Sequence, residues 1–481
     1  MDGISSHTIK KRKMDMISGR TTKKRNLDRI SALPDSVLRH ILSFLPTKTA
    51  VSTSVLSRRW RYLWQHLRDF DFDLDLEQNP EEYDEEEAFM FFAEFISQVL
   101  ARRRDRDTHT FRLSCSYNTD EDLHCDRFLN DWIHSVIGPH LQQFHVFLYP
   151  DPIPDSTYSD PSPCYNFPAG IFSCSSLVSL TLDGLISIEN ISSVRLPALR
   201  TLKVCIDGAL RIDKILSGCP VLEELTLDFI VRNVSPKIIV PNSLKRLKID
   251  TDCRFPSFTH MRTRQEVEIE IDTPALEYLS VSFSNSVRGF TVNNLHNVVD
   301  AWLDVRVLRY KGADHLLRLL KALDRAKCLQ LSCSTMQLIL CAPTFEFPKF
   351  NLRLRVPCFN SSLMINLLHN CPALKVFKIY NSHWKTLTEP IRYPSHWTPP
   401  TSVPNCLISH LKEIEFEAYE GSKDELAFID FVLKIGLVLE TVTVHLDWLE
   451  REMGKKEIKY NITTELCAMQ RGSNVCRIVI K

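Results

Sequence analysis

A recurring leucine pattern constrains this chain more than any other feature. Leu-x-x-[Leu/Phe/Ile]-x-[aliphatic/Phe] appears as Leu177-Leu180-Leu182, Leu199-Leu202-Val204, Leu222-Leu225-Leu227, Leu244-Leu247-Ile249, Leu276-Leu279-Val281, Leu374-Phe377-Ile379 and Leu411-Ile414-Phe416. The first five starting positions are 22, 23, 22 and 32 residues apart. Spacing in the low twenties gives one strand plus one return segment per turn, and such turns gain a core only by stacking so that neighbours bury one another's leucines. The last two triplets follow after 98 and 37 residues, so the array is irregular. Degenerate turns are expected in the gap at Leu303-Val305-Val307, Leu329-Leu331 and Phe350-Leu352-Leu354. Helical runs Ile212 to Ser217 and Leu363 to His369 lead into Cys219-Pro220 and Cys371-Pro372, whose cysteines read as small buried wall residues.

These are the spacings of a leucine-rich repeat, and the expected fold class is α/β, an irregular solenoid. Side chains reverse face at every residue of a strand, so the residues between the leucines line the opposite, inner face. In order they are Ser179 and Thr181, Thr201 and Lys203, Glu224 and Thr226, Arg246 and Lys248, Tyr278 and Ser280, Val376 and Lys378, Glu413 and Glu415. Read turn by turn the signs alternate, which suits a protein segment with mixed charges. A phosphate-tracking groove would want one sign and stacking aromatics. Lys203, Glu224, Arg246, Lys248 and Tyr278 are the candidate target-binding residues.

Composition removes other classes. The 481 residues are 44% hydrophobic and 25% charged, too apolar for a wholly disordered chain. Lys+Arg and Asp+Glu both total 59, so no chain-wide basic field exists to hold nucleic acid. The 15 cysteines include no Cys-x-x-Cys pair and read as reduced thiols. No apolar run approaches a bilayer span, so no membrane partner is expected. No GxxxxGK[ST], GxSxG, HExxH or GxGxxG motif occurs, which argues against intrinsic catalysis; no cofactor or metal is expected. His134, His140 and His145 lack partners at ligand spacing.

Residues 1–25 carry eight basic and two acidic side chains, grouped as Lys10-Lys11-Arg12-Lys13 and Lys23-Lys24-Arg25, and read as a flexible basic tail. Two such clusters fit a bipartite nuclear-import signal, so the expected location is nucleus and cytoplasm. Asp69 to Glu87 holds eleven acids and no base; its alternation with Phe70 and Phe72 predicts a short strand followed by a solvated acidic loop. Proline clusters at 149–168 and 390–404 mark loops or domain edges.

From Asp28 the chain reads DRISALPDSVLRHILSFLPTKTAVSTSVLSRRWRYLW. Val37, Leu38, Ile41, Leu42 and Leu45 fall at helical intervals between Pro34 and Pro46. A second helix is expected from about Thr49 to Leu56, and a third, capped by Ser57, over Trp60, Leu63 and Trp64. Three short helices bury little surface alone, so the unit should lean on the next domain or on a partner.

This segment resembles the F-box. The resemblance rests on Leu33-Pro34, on the helix from Leu38 to Leu45-Pro46, and on the Ser-Val-Leu-Ser-Arg-Arg-Trp-Arg-Tyr-Leu-Trp run typical of plant members. It implies that Leu33, Pro34, Val37, Leu38, Ile41, Leu42 and Leu45 meet a Skp-type adaptor and, through it, a cullin. Near the other end, SHLKEIEFEAYEGSKDELAFIDFVLKIGLVLETVTV resembles the FBD domain of plant F-box proteins with leucine-rich repeats. Here the reading is a strand, a helix over Glu425 to Leu433, a strand over Val438 to Val444, and a last strand, Arg477 to Ile480, closing the apolar end of the array.

The expected organisation is therefore a basic tail (1–25), an F-box (28–68), a linking region with the acidic loop and the start of the array (69–168), repeats (169–390) and an FBD domain (391–481). The resemblance implies a non-catalytic substrate-recognition subunit of an SCF-type ubiquitin ligase. The alternatives are a repeat scaffold that recruits no ligase, or a receptor that needs a small ligand between array and target.

Overall fold

The structure is a computed structural model, and it describes residues 30, 32–74, 85–117, 125–150, 164–188, 191–206, 211–229, 237–250, 267–283, 287–305, 311–323, 325–332, 334–335, 338, 351–356, 359–381, 397, 399–446 and 456–481. The basic tail, most of the acidic loop and most of both proline clusters lie outside the described residues.

Twenty strands are described: β1 (Asp69–Asp73), β2 (Thr110–Tyr117), β3 (Gln143–Pro150), β4 (Tyr165–Asn166), β5 (Ser179–Gly184), β6 (Ile186–Ser187), β7 (Thr201–Ile206), β8 (Glu224–Phe229), β9 (Lys237–Ile239), β10 (Arg246–Asp250), β11 (Val267–Asp272), β12 (Tyr278–Phe283), β13 (Val287–Asn293), β14 (Asp300–Val305), β15 (Cys328–Leu331), β16 (Asn351–Val356), β17 (Val376–Asn381), β18 (Glu413–Glu417), β19 (Thr441–Val444) and β20 (Arg477–Ile480). Fifteen of them form one sheet in the order β1-β2-β3-β5-β7-β8-β10-β12-β14-β15-β16-β17-β18-β19-β20. Every neighbouring pair is parallel, so each turn adds one strand beside the last and must return before adding the next.

The returns differ along the array. The first turns use helices α3 (Glu85–Arg102) and α4 (Cys125–Val136), and a later one uses the short α5 (Ile212–Ser217). In the middle, β9, β11 and β13 lie on successive returns and pair into a second, three-stranded parallel sheet. Further on, the returns carry α6 (Lys311–Ala322), α7 (Ser361–His369), α8 (Asn405–Ser409), α9 (Lys423–Ile435) and α10 (Lys456–Ala468). Asn360 caps α7 by accepting from the Leu363 N–H at 2.9 Å. Ser422 and Glu425 form a capping box at the start of α9.

The leucine pattern sits where the spacing requires. All seven triplets, twenty-one residues, are at most 2% exposed and lie in one continuous core. The degenerate turns are there too, with Leu303, Val305, Leu329, Leu331, Leu352 and Leu354 buried; Val307 and Phe350 are outside the described residues. The sheet nevertheless begins three strands before the first triplet. On β2 and β3 the core positions hold Phe111, Leu113, Phe144, Val146 and Leu148 rather than a leucine triplet.

One expectation is corrected. The run Trp60–His66 is a 3-10 helix whose N-cap is Arg59, with no side-chain cap; Ser57 contributes its carbonyl to the Trp60 N–H at 3.1 Å. β20 exists, but Ile478 and Ile480, which stand beside Val442 and Val444 of β19, are only half-buried. The strand is the last of the sheet, and Val442 and Val444 behind it are at most 2% exposed.

At the N-terminal end the helical unit consists of α1 (Asp35–Leu42), α2 (Thr47–Ser52) and two 3-10 segments, Thr53–Val55 and Trp60–His66. Leu38, Leu42, Ala50, Trp60, Leu63 and Trp64 are buried and continuous with Phe70 and Phe72 of β1. The Asp71 N–H donates to Thr47 Oγ1 at 2.8 Å, which ties α2 to the edge strand. This small unit leans on the sheet, as its size demands.

Candidate functional site

Two surfaces are built by this arrangement. The first belongs to the helical unit. Residues four and seven apart share a helix face, so Val37, Ile41 and Phe44 form one stripe while Leu38 and Leu42 form the adjacent one. The second stripe is fully buried; the first is exposed, Val37 by 40%, Ile41 by 38% and Phe44 by 73%. Ile30, Val55, Leu56 and Tyr62 add to it, with Val55 at 85% exposure. Seven large apolar side chains thus face outward within 33 residues, where single scattered ones are the norm.

Pro34 is exposed, and Leu33 and Leu45 are half-buried against the core. Leu38 and Leu42 are corrected: both are spent inside this chain and offer no surface to a partner. Phe44, Val55 and Leu56 are the large apolar side chains left most exposed nearby. A 3.6-residue wheel through Val37 and Ile41 already pointed to Phe44. Arg59 braces the entry to α1, its guanidinium donating to Asp35 Oδ1 at 2.7 Å and to the Leu33 carbonyl.

The second surface is the polar face of the large sheet. Arg246 stands between Glu224 and Tyr278 in register, 3.8 Å from the Glu224 carboxylate and 4.5 Å over the Tyr278 ring. Lys203 pairs with Asp183 at 3.0 Å, whereas Lys248 has no ion-pair partner among the described residues. Farther along, Lys378 pairs with Glu415 and Arg353 with Glu417. Burial works against ionisation of Glu415, but hydrogen bonds from Lys378 and His445 outweigh it and hold its pKa below the usual carboxylate value. Thr181 and Ser280, expected on the open face, are buried.

Near the junction of the two surfaces a cleft of 420 Å³ opens, lined by Ser43, Leu45, Asp71, Arg112, His145 and Phe147 among others. Arg112 pairs with Asp71 at 2.9 Å and lies over the Phe147 ring at 5.3 Å. His145 Nδ1 is 2.9 Å from Thr181 Oγ1, and burial, with Arg112 and Lys203 nearby, pushes its pKa down.

Burial raises the Cys219 thiol to about 12 and lifts Cys371 as well, which makes both poor nucleophiles at neutral pH. Among the described residues no group of three or more His, Cys, Asp or Glu side chains is placed to hold a metal ion. Among them, too, no helix is long and apolar enough to cross a membrane.

Comparison with known proteins matches three stretches of the chain. The F-box domain family matches residues 30–72, the FBD family matches 399–444, and the family described as FBD-associated F-box protein At5g56370, LRR repeats, matches 129–301. Three similar proteins come from Arabidopsis thaliana. F-box/LRR-repeat protein At4g14103 is 33% identical over 58% of this chain and 68% of its own length. F-box/LRR-repeat protein At4g14096 is 32% identical over 64% of this chain, a stretch that spans 63% of that relative. FBD-associated F-box protein At4g10400 is 28% identical over 93% of this chain and 98% of its length. F-box domains generally bind Skp-type adaptors, and proteins joining them to leucine-rich repeats are generally non-catalytic substrate adaptors of SCF ubiquitin ligases. With an F-box at one end, leucine-rich turns through the middle and an FBD segment near the other end, the chain belongs to the plant F-box/FBD/leucine-rich-repeat family.

Proposed function

We propose that this chain is a substrate receptor of an SCF-type ubiquitin ligase. The helical unit docks on a Skp-type adaptor, and through it a cullin, with Val37, Ile41 and Phe44 as the central anchors and Leu33, Pro34 and Leu45 beside them. The polar face of the sheet, around Lys203, Glu224, Arg246, Lys248 and Tyr278, holds the target protein. Catalysis belongs to other subunits, and this chain contributes by positioning. The observation that carries the reading is the run of seven exposed apolar side chains on a unit too small to need them for its own core. With the basic clusters of residues 1–25, the reading extends to a protein of nucleus and cytoplasm.

The test is affinity capture with the proteasome blocked. Adaptor, cullin and an accumulating ubiquitinated protein together support the receptor; recovery of the chain without adaptor and cullin overturns it in favour of a scaffold. The junction cleft favours a second reading, since 420 Å³ falls in the range that holds a small molecule. A receptor of that kind would retain its target only when a small ligand is supplied.

A further inference from the structure

Over part of the polar face, charges are sorted by row. The hydrogen-bonded register places one outward residue of each strand side by side across the sheet, and in the row through Lys248 every charged residue from β7 to β17 is a cation: Lys203, Lys248, Arg353 and Lys378. Between Lys248 and Arg353 the row holds Ser280, Trp302 and Gln330. Two residues toward the strands' C-terminal ends runs a row of carboxylates, Asp183, Asp228, Asp250 and Asp304.

The two rows differ in access. The side chains of Lys203, Arg353 and Lys378 are 30 to 41% exposed, whereas Asp183, Asp228 and Asp304 are at most 6% exposed. A molecule lying on the sheet therefore meets ammonium and guanidinium groups first. The alternation of signs expected from the sequence is found in the neighbouring row, where Glu224, Arg246, Tyr278 and Asp300 stand in register.

We propose that the target element recognised by this face is an extended acidic peptide segment that crosses the strands along the Lys248 row. The proposal rests on the receptor reading above and gives it a substrate chemistry. Lys203 and Lys248 are two strands apart, about 9.6 Å at about 4.8 Å per strand; a segment in the extended polyproline II conformation, with about 3.1 Å per residue and three residues per turn, covers that in about three residues and keeps i and i+3 on one face. Trp302 lies another two strands on, and Arg353 two beyond that. The matching segment carries acidic side chains at i and i+3, an apolar or aromatic one at i+6 over Trp302, and an acid again near i+9. Lys248 contributes most, because no carboxylate among the described residues already neutralises it. A nucleic-acid strand fits less well. Its phosphates continue without a break across the uncharged Ser280-Trp302-Gln330 interval, and as far as β14 the carboxylate row stands about 6.6 Å away.

The experiment pans a library of random dodecapeptides against the full chain bound to its adaptor, beside the Lys248→Glu variant. Lys203→Gln is the weaker choice, since it strips the partner from buried Asp183. The expected result is enrichment of acids at i and i+3 with an apolar residue at i+6, and binding of the best peptide about tenfold weaker in Lys248→Glu at unchanged thermal stability. Enriched peptides without acids, equal binding by Lys248→Glu, or stronger competition by a single-stranded oligonucleotide than by the best peptide would each overturn it. Adaptor co-purification is scored separately, so failure of the receptor reading and failure of the acidic-segment reading give different results.

Discussion

The Asp424 carboxylate accepts from both the backbone N–H and the hydroxyl of Ser361, at 2.8 and 2.6 Å, across 63 residues of sequence. Both residues are buried, so the start of α9 in the FBD segment is bolted to the first turn of α7, two turns earlier in the array.

Asp424→Ala therefore leaves a buried N–H and hydroxyl without acceptors. Two hydrogen bonds to a charged group at roughly 1.5 to 3 kcal/mol each bound the loss, and we expect about 3 kcal/mol. Urea unfolding measures it, and hydrogen exchange should rise first in residues 361–369. An unchanged midpoint and unchanged protection of α7 would show that the FBD segment is not braced there.

The outward stripe of α1 separates docking from folding. Val37→Asp with Ile41→Asp should abolish adaptor co-purification with little change in thermal stability, because both side chains are on the exposed stripe and not in the core. Leu42→Ala should cost about 2 to 5 kcal/mol as a core cavity. Retention of the adaptor by the double aspartate variant at equal expression would contradict the proposed docking face.

Burial raises the Glu425 carboxyl from 4.5 to about 7, against the opposing pull of its hydrogen bonds from Ser422. The folded state thus holds a proton that the unfolded chain gives up above about pH 4.5. Its contribution is fully present below that pH and is lost as the pH rises to about 7, roughly 2.5 pH units at about 1.4 kcal/mol each, or about 3 kcal/mol. Urea titrations at pH 5 and pH 8 should show the loss in the parent and a flatter dependence in Glu425→Gln. Identical slopes in the two proteins would assign the pH dependence elsewhere.

Deleting residues 1–25 should lower nuclear accumulation and leave adaptor binding intact, since both basic clusters precede the helical unit. Imaging the tagged truncation beside the full chain reads the first, and co-purification the second.

The leucine triplets and the helices at Ile212–Ser217 and Lys423–Ile435 were legible because each follows from local periodicity. β2 and β3 were not, because their inward positions mix Phe111 and Phe144 with aliphatics and lack the repeated leucine that marks later turns. Three strands on the returns were likewise hidden. Glu268-Ile269-Glu270-Ile271 has a clear strand alternation, but its partners on β9 and β13 are fixed only by stacking. In the helical unit, sequence gave the right helix and grouped both stripes as docking surface; which stripe is spent on Trp60 and Trp64 is a matter of tertiary packing. The sorting of cations and carboxylates into rows needed the register itself, since a two-residue slip would merge them.

The Thr47 to Asp71 hydrogen bond fixes where the sheet starts relative to the helical unit, and from there every strand advances by about 4.8 Å. The array is in effect a graduated ruler with its zero at the helical unit. Lys248 stands six graduations along, about 29 Å measured over the sheet, and Lys378 eleven, about 53 Å. Inserting or deleting one whole turn would shift everything beyond it by one graduation while leaving the zero untouched. A chain of this kind can therefore change the distance at which it presents a bound protein in fixed increments, without altering a single residue of either surface.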